Sequence, residues 1–366
     1  MTGRTLTANR ITESRSRYCG WSLERSTQIV LKIPETPPKA TEWNRMEYRR
    51  LGRLALKVSS VGLGTMNFGC STDETESETI LDTAVAQGIN LIDTADIYGD
   101  DSTGYGGEAE EIIGRWFAKG SGRRDSVILA TKVRFETGAG PNDCGLSALH
   151  IKLACEDSLR RMQTDHIDIY QMHQIDREAP WDEVLQAMEL LVQQGKVLYV
   201  GASNFAGWDI AQANEIARQR GFLGLVSEQC RYSLSQRLVE LEVLPACRAY
   251  DMGVFAWSPL DGGLLAGILA GATEGRRAEI EGLETLRPQL ERYESLCAEL
   301  GEKPATVGLA WLVSNPLVTA PIVGPRRATH LEAAVRAAEL RLEPAVLARL
   351  DEIFPGPGTA PEAFVP

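Results

Sequence analysis

The sequence predicts a (β/α)8 TIM barrel with an N-terminal hairpin capping its bottom. Three observations predict it. Short β-rich runs alternate with amphipathic stretches at an even pace, eight such runs are present, and their C-terminal ends carry the chain's chemically distinctive residues. A doubly wound sheet is the runner-up, but it usually has fewer strands.

The hairpin comes first. MEYRRLGRLALKVSS (46–60) alternates and turns at Leu51, Gly52 and Arg53. The eight strand candidates are VSSVGLG (58–64), NLIDTA (90–95), VILATKV (127–133), HIDIYQMH (166–173), VLYVGAS (197–203), LVSEQCR (225–231), GVFAWSP (253–259) and TAPIVG (319–324). Helical stretches lie between them: 77–88, with apolar positions at 80, 81, 84 and 85, then 107–118, 147–162, 180–195 and 207–221. The stretches 180–195 and 207–221 close on Gly, as helices often do. Between the seventh and eighth strands the pattern returns over 288–301 and 306–316.

Composition narrows the function. The chain has 366 residues, 43% hydrophobic and 24% charged, the profile of a globular protein. No run matches the ~20 apolar residues of a membrane-spanning helix. The cysteines at 19, 70, 144, 155, 230, 247 and 297 are odd in number and form no CxxC pair. That argues against a disulfide framework or a zinc site, so no metal is expected, and for a reducing, cytoplasmic setting. A net charge of −12 argues against nucleic acid as a partner. An anionic ligand therefore needs a local basic pocket.

Residues 1–45 differ from the rest. They hold eight Lys or Arg against four Glu and the proline cluster IPETPPK, leaving the remaining 321 residues at −16. They are expected to be a disordered extension, with a transit peptide the lesser reading. Met46 is a plausible initiator, and 46–366 is expected to be one barrel domain.

In a barrel every strand's C-terminal end points to one face, where the active site sits. Those ends carry Asp93 and Tyr98, Lys132, His173, Ser203 with Asn204, Gln229, Trp257 with Ser258, and Gly324 with Arg326. Each has a bland reading. Asp93 can be an Asx-turn acceptor, Lys132 can reach solvent along its stem, a lone His is more often structural, and Trp257 can fill a core. Only eight of the 38 basic residues are Lys, however, which makes a Lys inside an apolar strand less idle. GLGTMNFG (62–69) does not fit the G-x-G-x-x-G dinucleotide fingerprint.

Taken together the residues form a coherent chemistry. A free tyrosine titrates near ~10, and a neighbouring lysine cation favours its phenolate. A carboxylate beside that lysine keeps it charged in a partly buried site. Tyr98, Lys132 and Asp93 thus make a tuned acid, and a neutral His173 can orient a substrate oxygen beside it. The set lacks a nucleophile with an adjacent base. What remains is carbonyl reduction by hydride from a separate carrier. Trp257 offers a face for a nicotinamide, and Ser203, Asn204 and Gln229 offer amide-binding groups.

Residues 46–350 resemble the aldo-keto reductase family. The motifs are GLGTMNFG, NLIDTADIYG followed by GGEAEEIIGRW, LATKV, HIDIYQMHQID, GKVLYVGASNF, VSEQCRYS, FAWSPLDGGLL and PIVGPRRATHLE, in order along the folded chain. The resemblance implies NADPH extended across the C-terminal face of a barrel, without a Rossmann fold. It implies Tyr98 as acid, Lys132 and Asp93 as its tuning pair, and His173 as orienter. It also implies cofactor contacts from Gly64, Thr65, Met66 and Asp93, from Ser203, Asn204 and Gln229 on the carboxamide, and from Trp257 under the nicotinamide. Ser258, Pro259, Leu260 and Gly263 would follow the pyrophosphate, with Gly324, Arg326 and His330 near the adenosine phosphate.

Two departures fall at the adenosine end. Ala333 and Ala334 stand where family members often have an acid–asparagine pair, and Ile268 replaces a lysine common in the potassium-channel β-subunit-like branch. Arg276 or Arg277 is left to supply that charge, so the expectation of NADP+/NADPH over NAD rests on Arg326 and Arg277. The polar segment 100–111 and the tail beyond 350 are expected to border a roomy substrate pocket. The bacterial branches resembled include reductases of nucleotide-linked keto-deoxysugars, and a generic small carbonyl substrate fits equally well. The rival reading is a cofactor-holding partner-docking protein, as potassium-channel β-subunits are. Oligomeric state is not legible.

Overall fold

The computed structural model describes residues 46–99, 104–270 and 283–365. The expected N-terminal extension, Arg276, Arg277 and part of the 100–111 segment lie outside the described residues.

Two short strands, β1 (Tyr48–Arg50) and β2 (Lys57–Ser59), pair antiparallel as the opening hairpin. Gly52 turns with φ 52°, and a Cβ there would strike the carbonyl of Asp251, so the tip needs a glycine. Arg53 pins that tip: its N–H donates to Asp251 O at 2.7 Å, and its guanidinium to the carbonyls of Tyr250 (2.7 Å), Leu223 (2.6 Å) and Leu225 (3.0 Å). Leu51, Leu54 and Val58 then pack on inward residues of the barrel, including Leu91, Ala130, Ile169, Val226 and Phe255. The hairpin is the hydrophobic plug of the barrel's N-terminal end.

Eight parallel strands close the barrel: β3 (Gly62–Gly64), β4 (Leu91–Asp93), β5 (Ile128–Val133), β6 (Ile167–Met172), β7 (Val197–Ser203), β8 (Leu225–Arg231), β9 (Gly253–Trp257) and β10 (Ala320–Val323). β10 pairs with both β9 and β3, which completes the ring. Each lies within one of the eight expected runs. The first run, 58–64, is divided: its start belongs to the hairpin strand β2, and only residues 62–64 join the barrel. The break falls at Ser60, whose N–H donates to Glu47 O at 2.8 Å.

Ten α-helices surround the strands among the described residues: α1 (Glu74–Ala86), α2 (Glu108–Ala118), α3 (Ala148–Met162), α4 (Trp181–Gln193), α5 (Gly207–Gln219), α6 (Val243–Ala249), α7 (Leu283–Leu300), α8 (Pro304–Ser314), α9 (Leu331–Glu339) and α10 (Pro344–Ile353). Local chemistry sets several ends. Asp73 caps α1 by accepting from Glu76 N at 2.9 Å, and Ser147 caps α3 from His150 N at 3.2 Å. α3 stops at Gln163, which turns left-handed at φ 51°. α7 begins before the expected residue 288, so Pro288 lies inside the helix rather than at its first position. α6, α9 and α10 had no counterpart among the expected stretches. α6 is only seven residues and contains Pro245, and α9 is only nine residues. The main core lies between the outward faces of the strands and this helical layer.

Candidate active site

β4 is an apolar run, and its last residue, Asp93, turns inward at the C-terminal end of the barrel with 3% exposure. Thr65, just beyond β3, holds that end. Its N–H and its hydroxyl both donate to Asp93 O, at 3.0 and 3.1 Å. The chain then runs through Thr94, Ala95 and Asp96 to Tyr98. The carbonyl of Tyr98 accepts from Gly107 N (3.0 Å) and Ala109 N (3.1 Å), so the start of α2 fixes the tyrosine backbone. Gly106 has φ 82°, and a Cβ there would strike the Ile97 carbonyl, so this close approach requires glycine.

Lys132 projects from β5 into the same space with 0% exposure. Its three ammonium hydrogens have three acceptors: Asp93 Oδ2 at 2.6 Å, Thr94 O at 2.7 Å and Tyr98 OH at 3.2 Å. The other oxygen, Asp93 Oδ1, accepts from Gln171 Nε2 at 3.0 Å and Gln229 Nε2 at 2.7 Å. Every charge in the pair is therefore hydrogen-bonded, as burial demands. Burial by itself would lower the Lys132 pKa, but Asp93 and Tyr98 outweigh it and the net direction is up. Lys132 stays a cation.

Tyr98 responds the other way from the simple expectation. Burial pushes its phenol up, Lys132 pulls it down, and Asp93 opposes that pull, leaving a net rise. The lysine limits the rise rather than acidifying the phenol outright. Because Tyr98 OH accepts from Lys132, its own hydrogen is left to give away.

His173 follows β6, with its N–H on Val133 O at 2.9 Å. Its ring meets Tyr98 edge-on at 5.8 Å between centroids and Phe135 at 4.9 Å. Burial, reinforced by the charges of Lys132 and Arg134, pushes the imidazole down to about 2. It is neutral at any working pH, and its Nδ1 is buried with no partner among the described residues.

β7 and β8 bring the expected amide-binding groups together. Ser203 Oγ donates to Gln229 O at 2.8 Å, and Asn204 Nδ2 donates to His173 O and to Ser203 Oγ, both at 3.0 Å. Trp257 Nε1 donates to Asn204 Oδ1 at 2.9 Å, which fixes the half-buried indole at the end of β9. Beyond it, Ser258, Asp261, Gly262 and Gly263 all have positive φ, and Ser258 Oγ accepts from Gly262 N at 3.1 Å, so Ser258 to Gly263 form one tight turn with Pro259 buried and Leu260 half-buried.

The β10 end is more open. Gly324 is exposed and its carbonyl accepts from Asn67 Nδ2 at 2.9 Å. His330 Nδ1 accepts from Arg326 N at 3.4 Å. The Arg326 guanidinium makes no hydrogen bond or ion pair with the described residues. Met66 stands at 43% exposure beside this end, after Gly64 closes β3. Arg277 lies outside the described residues. No group of metal-binding side chains occurs among the described residues, and no helix there is long and apolar enough to cross a membrane.

Sequence reasoning missed several groups. Gln171 is a polar residue inside the buried strand IDIYQM, the same signal that singled out Lys132. Asp96 lies buried behind the site, where burial and Glu110 push its carboxyl well up. Glu110 itself accepts from Thr131 Oγ1 at 2.6 Å and Arg161 Nε at 2.8 Å.

A closed parallel barrel with a lysine-centred carboxylate–phenol group at its C-terminal end defines the chain as a barrel oxidoreductase. It belongs to the aldo/keto reductase family, whose model matches residues 60–354. It is 51% identical over 328 residues to YrpG of Bacillus subtilis (strain 168), an uncharacterised oxidoreductase, covering 87% of this chain and 99% of that one. It is 32% identical to the versiconal hemiacetal acetate reductase of Aspergillus parasiticus (84% and 97% covered). It is also 30% identical to a probable voltage-gated potassium channel subunit beta of Arabidopsis thaliana (87% and 100% covered).

Proposed function

We propose that the protein is an NADPH-dependent cytoplasmic reductase of aldehydes or ketones, acting through residues 46–366 as one domain, with Tyr98 as general acid. The observation that carries this reading is the chain of contacts Asp93–Lys132–Tyr98 ending beside a neutral His173. NADPH supplies a hydride to the carbonyl carbon when bound. The protein's own residues do the rest.

The substrate oxygen gains negative charge as the carbon is reduced, and Tyr98 gives it the phenolic proton. Lys132 then steadies the phenolate left behind, and Asp93 keeps Lys132 in place and charged. His173, being uncharged, hydrogen-bonds the substrate oxygen and orients it without competing as a proton donor of its own. The residues present fit the cofactor. The Trp257 indole is held at the barrel mouth by Asn204, and Arg326 offers a guanidinium with no partner among the described residues for a phosphate on the adenosine side. Ser203, Asn204 and Gln229, at neighbouring strand ends, would hold the cofactor's carboxamide.

The substrate is a small carbonyl compound, with nucleotide-linked keto-deoxysugars one class to try. The likeness to potassium channel subunits favours a second reading, a cofactor-holding docking protein. Turnover separates the two. NADPH binding is followed by cofactor fluorescence, then NADPH oxidation is measured over a carbonyl panel for wild type and Tyr98→Phe. The variant is expected to bind NADPH normally and to lose ~10²–10⁴ in rate. A variant within threefold of wild type removes Tyr98 from the chemistry, and a wild type that binds NADPH but reduces nothing favours the docking role.

A further inference from the structure

Several arginines around this barrel, some partly buried and some exposed, have an acid. Arg124 pairs with Asp168 at 2.8 Å, Arg161 with Glu110 at 2.8 Å, Arg231 with Asp261 at 2.7 Å, and Arg177 with Asp209. In a chain of net charge −12 that outcome is expected. Arg134 is the exception beside the candidate site. It follows β5 two residues after Lys132, is half-buried, and makes no hydrogen bond or ion pair through its side chain with the described residues. Its Nε is buried with no partner. An unpaired buried donor on a cation is costly, and a native site that keeps one calls for an explanation.

The surroundings aim that cation at the reacting end. The Arg134 guanidinium lies over the Phe135 ring at 5.0 Å, and Phe135 meets the His173 ring at 4.9 Å. The charge of Arg134 is felt at His173 directly. The nearby acids do not pair with it: Glu136, two residues on, is exposed and makes no ion pair with the described residues, and Asp143 in the same loop and Asp176 after β6 are engaged by backbone. Asp143 Oδ2 accepts from Gly140 N at 2.7 Å, and Asp176 accepts from Leu146 N at 2.8 Å and Glu178 N at 3.0 Å. The backbone of Arg134 is itself unusual, with φ 153°, a region that strains a non-glycine residue. Gly145 N, donating to Arg134 O at 2.7 Å, holds it there.

We propose that Arg134, stacked on Phe135, is an anion subsite, so that the preferred substrate is a carbonyl compound bearing a carboxylate or phosphate near its carbonyl group. This rests on the reading of the site as a carbonyl reductase. The anion takes no part in the chemistry. Its contact with Arg134 orients the carbonyl between Tyr98 and His173, and a bidentate guanidinium suits either oxyanion.

The test compares matched substrates: benzaldehyde with 4-carboxybenzaldehyde for the carboxylate arm, glyceraldehyde with glyceraldehyde 3-phosphate for the phosphate arm. Wild type is expected to favour the anionic member of at least one pair by roughly tenfold or more in kcat/KM. Arg134→Met should collapse that ratio towards one, and Arg134→Lys should keep part of it. The arm that responds identifies the anion. A wild-type ratio near one on both arms, with neutral aldehydes reduced, overturns the subsite and leaves the reductase reading intact. A ratio that survives Arg134→Met also overturns it. Failure of wild type to reduce any carbonyl sinks the reductase reading and the subsite with it.

Discussion

Lys132 Nζ and Asp93 Oδ2 stand 2.6 Å apart with the lysine wholly out of contact with solvent. Such a pair is a poor device for stability, because desolvation offsets most of the attraction. It is a good device for holding one ammonium hydrogen on Tyr98. Removing one partner leaves the other charge buried and uncompensated, which typically costs ~3–5 kcal/mol, whereas replacing both is close to neutral. Lys132→Met is therefore expected to unfold at clearly lower urea than wild type, and the double variant Lys132→Met with Asp93→Asn to recover most of the loss. Neither should regain turnover. Adding Tyr98→Phe to either should cost much less than its effect alone, since the three act as a unit. A double variant that stays as unstable as Lys132→Met would show that the charge imbalance is not the cause.

Two directions of titration combine in one pH profile. His173 is held down at about 2 and so does not titrate in the working range. Tyr98 is raised above its usual value and acts in its protonated form. The rate of carbonyl reduction should therefore stay level from acid to mildly alkaline pH, then fall as the phenol loses its proton above ~10. The kcat/KM profile checks this, and a limb near 6.5 would contradict it. His173→Ala should lower kcat while leaving NADPH affinity nearly unchanged, because its contacts are with Tyr98 and Phe135.

Arg326 carries a guanidinium with no counter-charge among the described residues. If it meets the 2′-phosphate, Arg326→Ala should weaken NADPH by about 1.5–3 kcal/mol, or roughly ten- to 150-fold, while NADH changes little. Binding of both cofactors followed by fluorescence decides it. Equal losses would give the arginine another task.

A chain beginning at Met46 should keep its melting temperature and activity. The hairpin that plugs the barrel starts at Tyr48, and its anchors, Arg49 to Val313 O and Val318 O and Arg53 to the β8 and β9 loops, all follow Met46. A fall of several degrees on removing residues 1–45 would show that they pack on the barrel.

What was legible in the sequence follows from physics with a short range. The eight strands announce themselves because strands buried on both faces read as apolar runs, and an alternating hairpin before them is equally local. Asp93, Lys132 and His173 stood out as polar residues ending such runs. The partner Gln171 was overlooked although it sits inside an equally apolar strand, since an amide attracts less notice than a charge. The direction of the Tyr98 shift was not legible, because the lysine's pull can be read from neighbours in a motif while burial is a property of the whole fold. Arg134 was missed for the same reason: what marks it is a guanidinium that pairs with no acid among the described residues, and only the folded chain reveals that. α9 and α10 escaped because they are short, nine and ten residues, and lie after the last strand run.

Asp96 supplies a last prediction about stability. Both of its carboxyl oxygens are buried with no partner among the described residues. Burial and the neighbouring Glu110 push its pKa well up, and Arg161 and Lys132 only partly oppose them. Thr131 Oγ1 donates to Glu110, not to Asp96. In the unfolded chain the same carboxyl ionises near ~3.9. Between that value and its higher folded pKa, the folded protein binds the extra proton, so stability falls as pH rises through this window. Glu228, buried and raised in the same direction, adds to the slope. Asp96→Asn copies the neutral acid and removes the penalty. It should change the melting temperature little near pH 4 and raise it at pH 8 by about 1–2 °C, the shift that ~1 kcal/mol gives in a domain of about 320 residues. Thermal unfolding from pH 4 to 9 reads the difference. A variant that is less stable than wild type at pH 8 would show that Asp96 is ionised and held by Arg161, against the assignment made here.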